Sequence, residues 1–521
     1  MQPEATKMRR IFEFAKLCQS LWNIALLVVR YQAFVATFKR ETNHMNAQPL
    51  AIAVFLATLM LTFGTAIYAR MKSESGSSEE DLAGRSLNKW LIGLSAGTTG
   101  NSGFIVTAAV GLGYSGGAQW LLLPLGWLLG DLVYWSLFPE KVNRLAREAK
   151  ATTLPELLTH DLKGPTSRVI SILVALVLVV FLSIYTAAQW LAGEKFLSTA
   201  FEMTETTALM GFGLVIVFYS AIGGFRGSVY VDTLQAVIRL FGTVLALWMI
   251  IASALSMDAQ FWINIENAGS GFLDLFADRG FFAGTAFMLG FAGAAIGFGL
   301  GQPQIITRYM AGQSPEETKA ARWIYIGFLQ FTWIAMTVFG MILRGVQPGI
   351  ADPEIGLSLF FMTSVGAIAT GIIFADVFAT IAGTANGILV AISQTIRRDL
   401  FAGWGTDWKY SQGVATVLTA TLGFITVGLS LVLPGNVYSL AVGAVSMIGA
   451  ALAGAVIIKV FDLPHSAPSL LTAIATGLSA AITWNYIGLS SYFNETAVGL
   501  FVALAANALL LKTDSLRPLK D

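Results

Sequence analysis

Apolar residues run in long blocks along this chain, and polar residues collect between the blocks. A helix needs about 20 mainly apolar residues to cross a bilayer. Thirteen blocks meet that need, at roughly 50–70, 90–114, 119–139, 167–195, 207–222, 229–255, 281–304, 321–344, 358–394, 413–433, 437–461, 468–488 and 492–511. The pattern predicts an all-α membrane protein of 13 transmembrane helices over residues 50–511, with a lead-in at 1–49 and a short tail at 512–521.

Two blocks break the pattern from within. Leu94 to Gly103 reads L-S-A-G-T-T-G-N-S-G, with three glycines and four hydroxyl side chains in ten residues. That composition makes a poor helix interior. Backbone freed at membrane depth is tolerated only where protein buries it or where it lines a cavity. Close packing through small residues would read the same way. The second break is Gly297-Phe-Gly-Leu-Gly-Gln-Pro303, in the seventh span. Each break opens a block of five spans, two to six and seven to eleven. The expected architecture is a five-plus-five inverted-repeat transporter fold, with binding between the two broken helices near the midplane.

The charges give the orientation. With the N-terminal side of the first span outside, the loops expected inside carry Arg70, Lys72, Arg85 and Lys89; Lys141, Arg144, Arg147 and Lys150; Arg226; Arg308, Lys319 and Arg322; Arg397, Arg398 and Lys409; and Lys459. The loops expected outside carry Asp258, Glu266, Asp274, Asp278, Asp352 and Glu354. Excess Lys and Arg on the cytoplasmic side predicts the N-terminus out and the C-terminus in, within the cytoplasmic (inner) membrane. Residues 1–44 fit this poorly. Arg30 sits near the middle of their apolar run, where an arginine is costly, and their basic residues fall on the outer side. They read as an upstream extension before a natural start at Met45 rather than as a further span.

Composition narrows the function. Charged residues make up 12% of the chain, against about 25% in soluble domains. Cys18 is alone, so no intrachain disulfide forms, and His44, His160 and His465 lie outside the spans. No intramembrane metal centre or Cys/His catalytic pair is expected, and the chain does not read as an enzyme. No Gly-rich loop ending in Lys-Ser/Thr supports ATP binding, and no nucleic-acid partner is expected.

Tyr219-Ser-Ala-Ile-Gly-Gly-Phe-Arg-Gly-Ser-Val-Tyr-Val-Asp-Thr-Leu-Gln235 resembles the signature of the sodium:solute symporter family. Leu82 to Leu87 and Ser95-Ala-Gly97 with Ser102-Gly103 resemble further family stretches in order, and Tyr185 to Gln189 and Gly301 to Met310 resemble the fourth and seventh spans of its sodium/proline branch. The resemblance covers about residues 50–511. It implies an ion-coupled transporter, with sodium held between the first broken helix and the ninth span. On that basis Thr98 and Asn101 offer backbone carbonyls, and Thr380 keeps one hydroxyl ligand. Ala379 lacks the other hydroxyl, and Asp376 stands where the family has a small residue. Gly100 replaces an aspartate of the proline branch, and Asp232 matches the family aspartate.

Arg239 is a further feature. It lies seven residues after Asp232, about two turns on, on nearly the same helix face. At that depth it needs a partner, and Asp232 and Asp376 are the available carboxylates. Three readings stay open. In one, Asp376 supplies the anionic ligand for Na+, since oxygen donors suit a hard cation. In another, Arg239 fills the cation position, and transport is sodium-independent or coupled to H+ on Asp232 or Asp376. In the third, the pair is structural.

Candidate substrate contacts are Ser95, Ser102 and Gly103 at the first break, with the amides of Gln189 and Gln302. Gly299 and Ala295 stand where the proline branch has aromatics, which puts proline itself in doubt. Asp131 reads as a polar contact inside the bundle, and Trp120, Trp127 and Trp135 as packing or interface anchors. The expected function is sodium-coupled symport of a small polar organic solute across the membrane by alternating access. A solute sensor is the competing class. Thirteen spans in a lipid bilayer suffice for a monomer.

Overall fold

The computed structural model describes residues 47–71, 78–402, 408 and 411–515. The reading of residues 1–44 as an extension lies outside the described residues. In chain order the helices are α1 (Ala47–Met71), α2 (Lys89–Gly100), α3 (Gly103–Val106), α4 (Ala108–Gly116), α5 (Leu122–Leu137), α6 (Pro139–Glu148), α7 (Leu154–Thr159), α8 (Pro165–Phe201), α9 (Glu205–Leu255) and α10 (Ala259–Glu266). They continue as α11 (Gly280–Gly301), α12 (Pro303–Met310), α13 (Pro315–Ala320), α14 (Arg322–Val346), α15 (Gly356–Ser364), α16 (Ala367–Thr395), α17 (Gln412–Ser430), α18 (Val437–Val460), α19 (Ala467–Tyr486) and α20 (Glu495–Ser515).

Among the described residues, eleven helical stretches are long and apolar enough to cross a membrane, not thirteen. The difference sits in two places. Residues 205–255 form one stretch of 51 that takes in the spans expected at 207–222 and 229–255, and residues 103–137 form one of 35 that joins the half of the span at 90–114 beyond its break to the span at 119–139. At about 1.5 Å per residue, α9 runs to roughly 76 Å, well over twice a hydrocarbon core of about 30 Å. Gly224, at φ 58° and ψ −161°, interrupts it. Glycine adopts that backbone without the penalty that a Cβ brings.

The core forms around α16. Every residue from Ile373 to Thr395 is buried, the mark of a helix enclosed on all sides. It packs against α9, α1, α8 and α2. Close approach elsewhere relies on small residues, as expected where lipid gives helices no hydrophobic reason to associate. A Cβ on Gly340 of α14 would collide with the Val110 carbonyl of α4, and Gly297 and Gly301 of α11 face Gly449 of α18. One short backbone bridge joins the segments flanking the breaks. Leu87 N–H donates to the Ala311 carbonyl at 3.1 Å, and Gln313 N–H donates to the Leu87 carbonyl at 2.9 Å.

Candidate functional site

Both breaks fall within the stretches that the composition marks. α2 stops at Gly100, and Asn101 (φ −91°, ψ 73°) turns its N–H back to Gly97 and Thr98. Ser102 is extended, and its Oγ accepts from Phe104 N–H at 3.3 Å, which starts α3. In the second break Gln302 is extended (φ −86°, ψ 110°) and Pro303 opens α12. A proline disfavours helical backbone in the residue before it and suits a first helical position.

Two buried arginine–aspartate pairs lie behind these breaks. In the first, Asp232 Oδ2 accepts from Ser95 Oγ at 2.7 Å, Thr99 Oγ1 at 3.0 Å and Arg308 Nη2 at 2.8 Å. Arg308 also donates from Nε to Ser95 Oγ and from Nη2 to Ser228 Oγ, both at 2.9 Å, and from Nη1 to the Gln304 carbonyl. Asp232 and Arg308 are both shut off from solvent. One carboxylate therefore gathers donors from both broken helices, α2 and α12.

In the second pair, Arg239 Nη1 lies 3.6 Å from Asp376 Oδ1 and donates to Thr380 Oγ1. Thr380 Oγ1 in turn donates to the Asp376 carbonyl at 2.8 Å. Asp376 thus partners Arg239, while Asp232 is held by Arg308. Gly242 makes room for the carboxylate: a Cβ there would stand 2.5 Å from Asp376 Oδ2. Gly242→Ala is expected to displace Asp376 and cut uptake several-fold, with less effect on the melting temperature than losing either charge. Paired uptake and thermal-unfolding measurements check this.

Between the pairs runs a polar strip. Asp232, Gln235, Arg239 and Thr243 recur at spacings of three and four along one face of α9. Asp232 Oδ1, both Gln235 amide atoms, Arg239 Nε and Nη2, and Thr243 Oγ1 have no hydrogen-bond partner among the described residues, and neither does Asp376 Oδ2 across from them. Buried polar atoms in folded proteins nearly always have partners, so this strip stands apart from the apolar packing around it.

The remaining candidates divide. Thr98 Oγ1 donates to the Asp232 carbonyl at 3.0 Å. Asn101 Nδ2 donates to Thr332 Oγ1 at 2.5 Å, and its Oδ1 has no partner among the described residues. Gly103 N–H donates to Gln189 Oε1 at 2.9 Å. Ala379 is buried on α16. Gln302 accepts from Gln304 Nε2 at 2.9 Å. Gly299 lies under the Tyr134 ring, whose hydroxyl donates to its carbonyl at 2.9 Å. Ala295 packs toward Gly130, so the room that these small residues leave is filled by α5. Asp131 accepts from Gln330 Nε2 at 3.2 Å, inside the bundle.

At the first break a central cavity of about 50 Å³ is bordered by Gly100, Ser102, Phe104, Trp127, Tyr185, Phe298 and Trp333. The rings form a continuous wall. Trp127 stands 5.3 Å from both Phe298 and Trp333, and Phe104 stands 5.4 Å from Trp333. Of the expected substrate contacts, Ser102 borders this cavity, whereas Ser95, Gly103, Gln189, Gly299 and Gln302 do not. The sequence reading missed Phe298, which sits inside the second break, and gave Trp127 to packing. It also counted Arg308 as a loop cation. The available signal was its place in the Gly301–Met310 stretch, directly after a broken helix.

Apolar helices broken at two points, with the breaks turned toward buried charges and a ring-lined cavity, make up the architecture of a membrane transporter. The chain belongs to the sodium:solute symporter family, whose model matches residues 82–463. It is 26% identical to the sodium/proline symporter of Salmonella typhimurium over 428 residues, which is 78% of this chain and 82% of that protein. It is 29% identical to the sodium/pantothenate symporter of Escherichia coli over 390 residues, covering 71% and 77%. Its fold matches that of a Na+-coupled sialic acid symporter in a substrate-bound outward-open state, with a TM-score of 0.75 at 16% identity, over 89% of this chain and 98% of that one. The family and these relatives are transporters, not enzymes.

Proposed function

We infer that this protein carries a small organic solute inward, coupled to sodium, by alternating access around the two breaks. Counting the stretches at 103–137 and 205–255 as two passes each gives thirteen spans, with the N-terminus outside and the C-terminus inside. The solute would sit in the ring-lined cavity, its apolar part against Trp127, Phe298 and Trp333 and its polar part near Ser102. The carrying observation is the uncommitted carboxylate oxygen of Asp376, on the helix that packs against the first break. Two turns further along α16, Thr384 Oγ1 donates to the Thr99 carbonyl of α2 at 3.0 Å. We take the Asp376 carboxylate, the Thr380 hydroxyl and the backbone carbonyls of Thr98 and Asn101 to share one sodium ion during transport, since oxygen donors of these types suit a hard cation.

A second reading rests on a specific contact. Arg239 donates to Thr380 and faces Asp376, so its guanidinium can hold the place of the cation and free transport from sodium. Uptake into proteoliposomes separates the two. With a panel of small solutes, an inward sodium gradient is expected to raise the initial rate at least about 10-fold over an inert cation, equivalent to about 1.4 kcal/mol. A rate that ignores sodium and follows a pH gradient supports the Arg239 reading and ends the first.

A further inference from the structure

A second cavity opens where α1, α9, α16 and α17 meet, on the face where the charge pattern places the cytoplasm. Its volume is about 40 Å³, several times the ~10–15 Å³ that one water needs. It shares no bordering residue with the central cavity. Arg70, Arg226 and Arg397 border it. The acid on the same wall, Asp81, is already engaged, with Oδ1 accepting from Arg397 Nη2 at 2.9 Å and Oδ2 from Arg398 Nε at 2.7 Å. Among the described residues that border it, three arginines therefore face one aspartate.

Two of its donor groups are uncommitted among the described residues. Arg226 Nη2 donates to the Ala83 carbonyl at 3.0 Å, but its buried Nε has no partner among the described residues. Ser220 is 1% exposed, borders the cavity, and its Oγ has no partner among the described residues either. Two helical runs begin here. The break at Gly224 starts the Phe225–Leu255 run, and nothing lies within 4 Å of the place where a Cβ on Gly224 would stand. α17 begins at its Ser411 cap, on the same wall. Helix starts present N–H groups and a positive dipole end to anions. Guanidinium and hydroxyl donors add charge-assisted bonds. Basic pockets between membrane helices on the cytoplasmic side suit anionic headgroups.

We propose that this cavity binds a phosphoryl oxyanion, held by Arg226 Nε and Ser220 Oγ with Arg70 supplying further charge, and that its occupancy stabilises the transporter apart from solute binding. An anionic lipid headgroup and free phosphate share this chemistry. The test is thermal unfolding of the purified full-length chain in neutral detergent, with phosphatidylglycerol, phosphatidylcholine or inorganic phosphate added at fixed ionic strength. A ligand that binds only the folded state raises the melting temperature by mass action. Phosphatidylglycerol is expected to raise it by several degrees and phosphatidylcholine not to. Arg226→Gln, Ser220→Ala and Arg70→Gln should each lose at least half of that shift. A shift reproduced by inorganic phosphate assigns the site to a free anion, and one confined to phosphatidylglycerol assigns it to a headgroup. If Arg226→Gln does not fold, Ser220→Ala and Arg70→Gln carry the test. Equal shifts with both lipids and none with phosphate overturn the proposal, as does a phosphatidylglycerol shift that Ser220→Ala and Arg70→Gln both retain in full.

Discussion

Asp376→Asn is expected to raise the half-saturating sodium concentration of solute uptake and to lower the melting temperature. Both effects follow from one buried carboxylate. A bond to a charged group is worth about 1.5–3 kcal/mol, so losing this oxygen weakens sodium binding by about 10–100-fold. The half-saturating sodium concentration of uptake reads that change. The stability loss has a separate origin. Arg239 is 1% exposed, and an arginine left unpaired at such depth costs about 3–5 kcal/mol. Combining Asp376→Leu with Arg239→Met removes both charges and should recover most of the stability. The affinity for sodium should not return with it. If the double variant transports normally with unchanged sodium dependence, the pair is structural and the cation lies elsewhere.

Arg308→Ala gives the second large effect. It removes the bonds to Ser95, Ser228, Asp232 and the Gln304 carbonyl together. It also strands a fully buried carboxylate, again at about 3–5 kcal/mol. The melting temperature should fall by many degrees, and uptake should be lost at every solute and sodium concentration. Arg308→Lys keeps the charge without the planar fork that reaches several acceptors, so it should fold better than Arg308→Ala and still transport poorly. Normal uptake by Arg308→Ala at normal expression would show that the Asp232 cluster is dispensable. A pairing of Arg308→Met with Asp232→Leu that regains stability but not transport would separate packing from motion.

Much of this molecule can be read along the chain, because its rules are local. The run of apolar blocks, the breaks near Asn101 and Gln302, and the division between 222 and 229 all follow from composition and backbone preference. The family follows from ordered short stretches. What could not be read depends on which way a helix turns after a break. Arg308 looks like a loop cation because it closes an apolar block, but α12 folds back into the bundle and buries it. Gly299 looks like spare room beside a substrate, but Tyr134 from α5 fills that room. Phe298 and Trp127 come together from helices far apart in sequence, so no local pattern announces the ring wall. Arg239 was legible as a problem, since an arginine at that depth demands a carboxylate. The choice of Asp376 over Asp232 required knowing that Arg308 holds the other.

The backbone bridge between Leu87 and the Ala311–Gln313 segment also provides a way to time the transporter. Its two amide protons, on Leu87 and Gln313, are held across segments flanking the two breaks. Any rearrangement that parts those segments exposes both protons to deuterium at once, while amides inside α16 stay protected. The exchange rates of two backbone positions would therefore clock the opening of this face directly, without a label and before the solute is known.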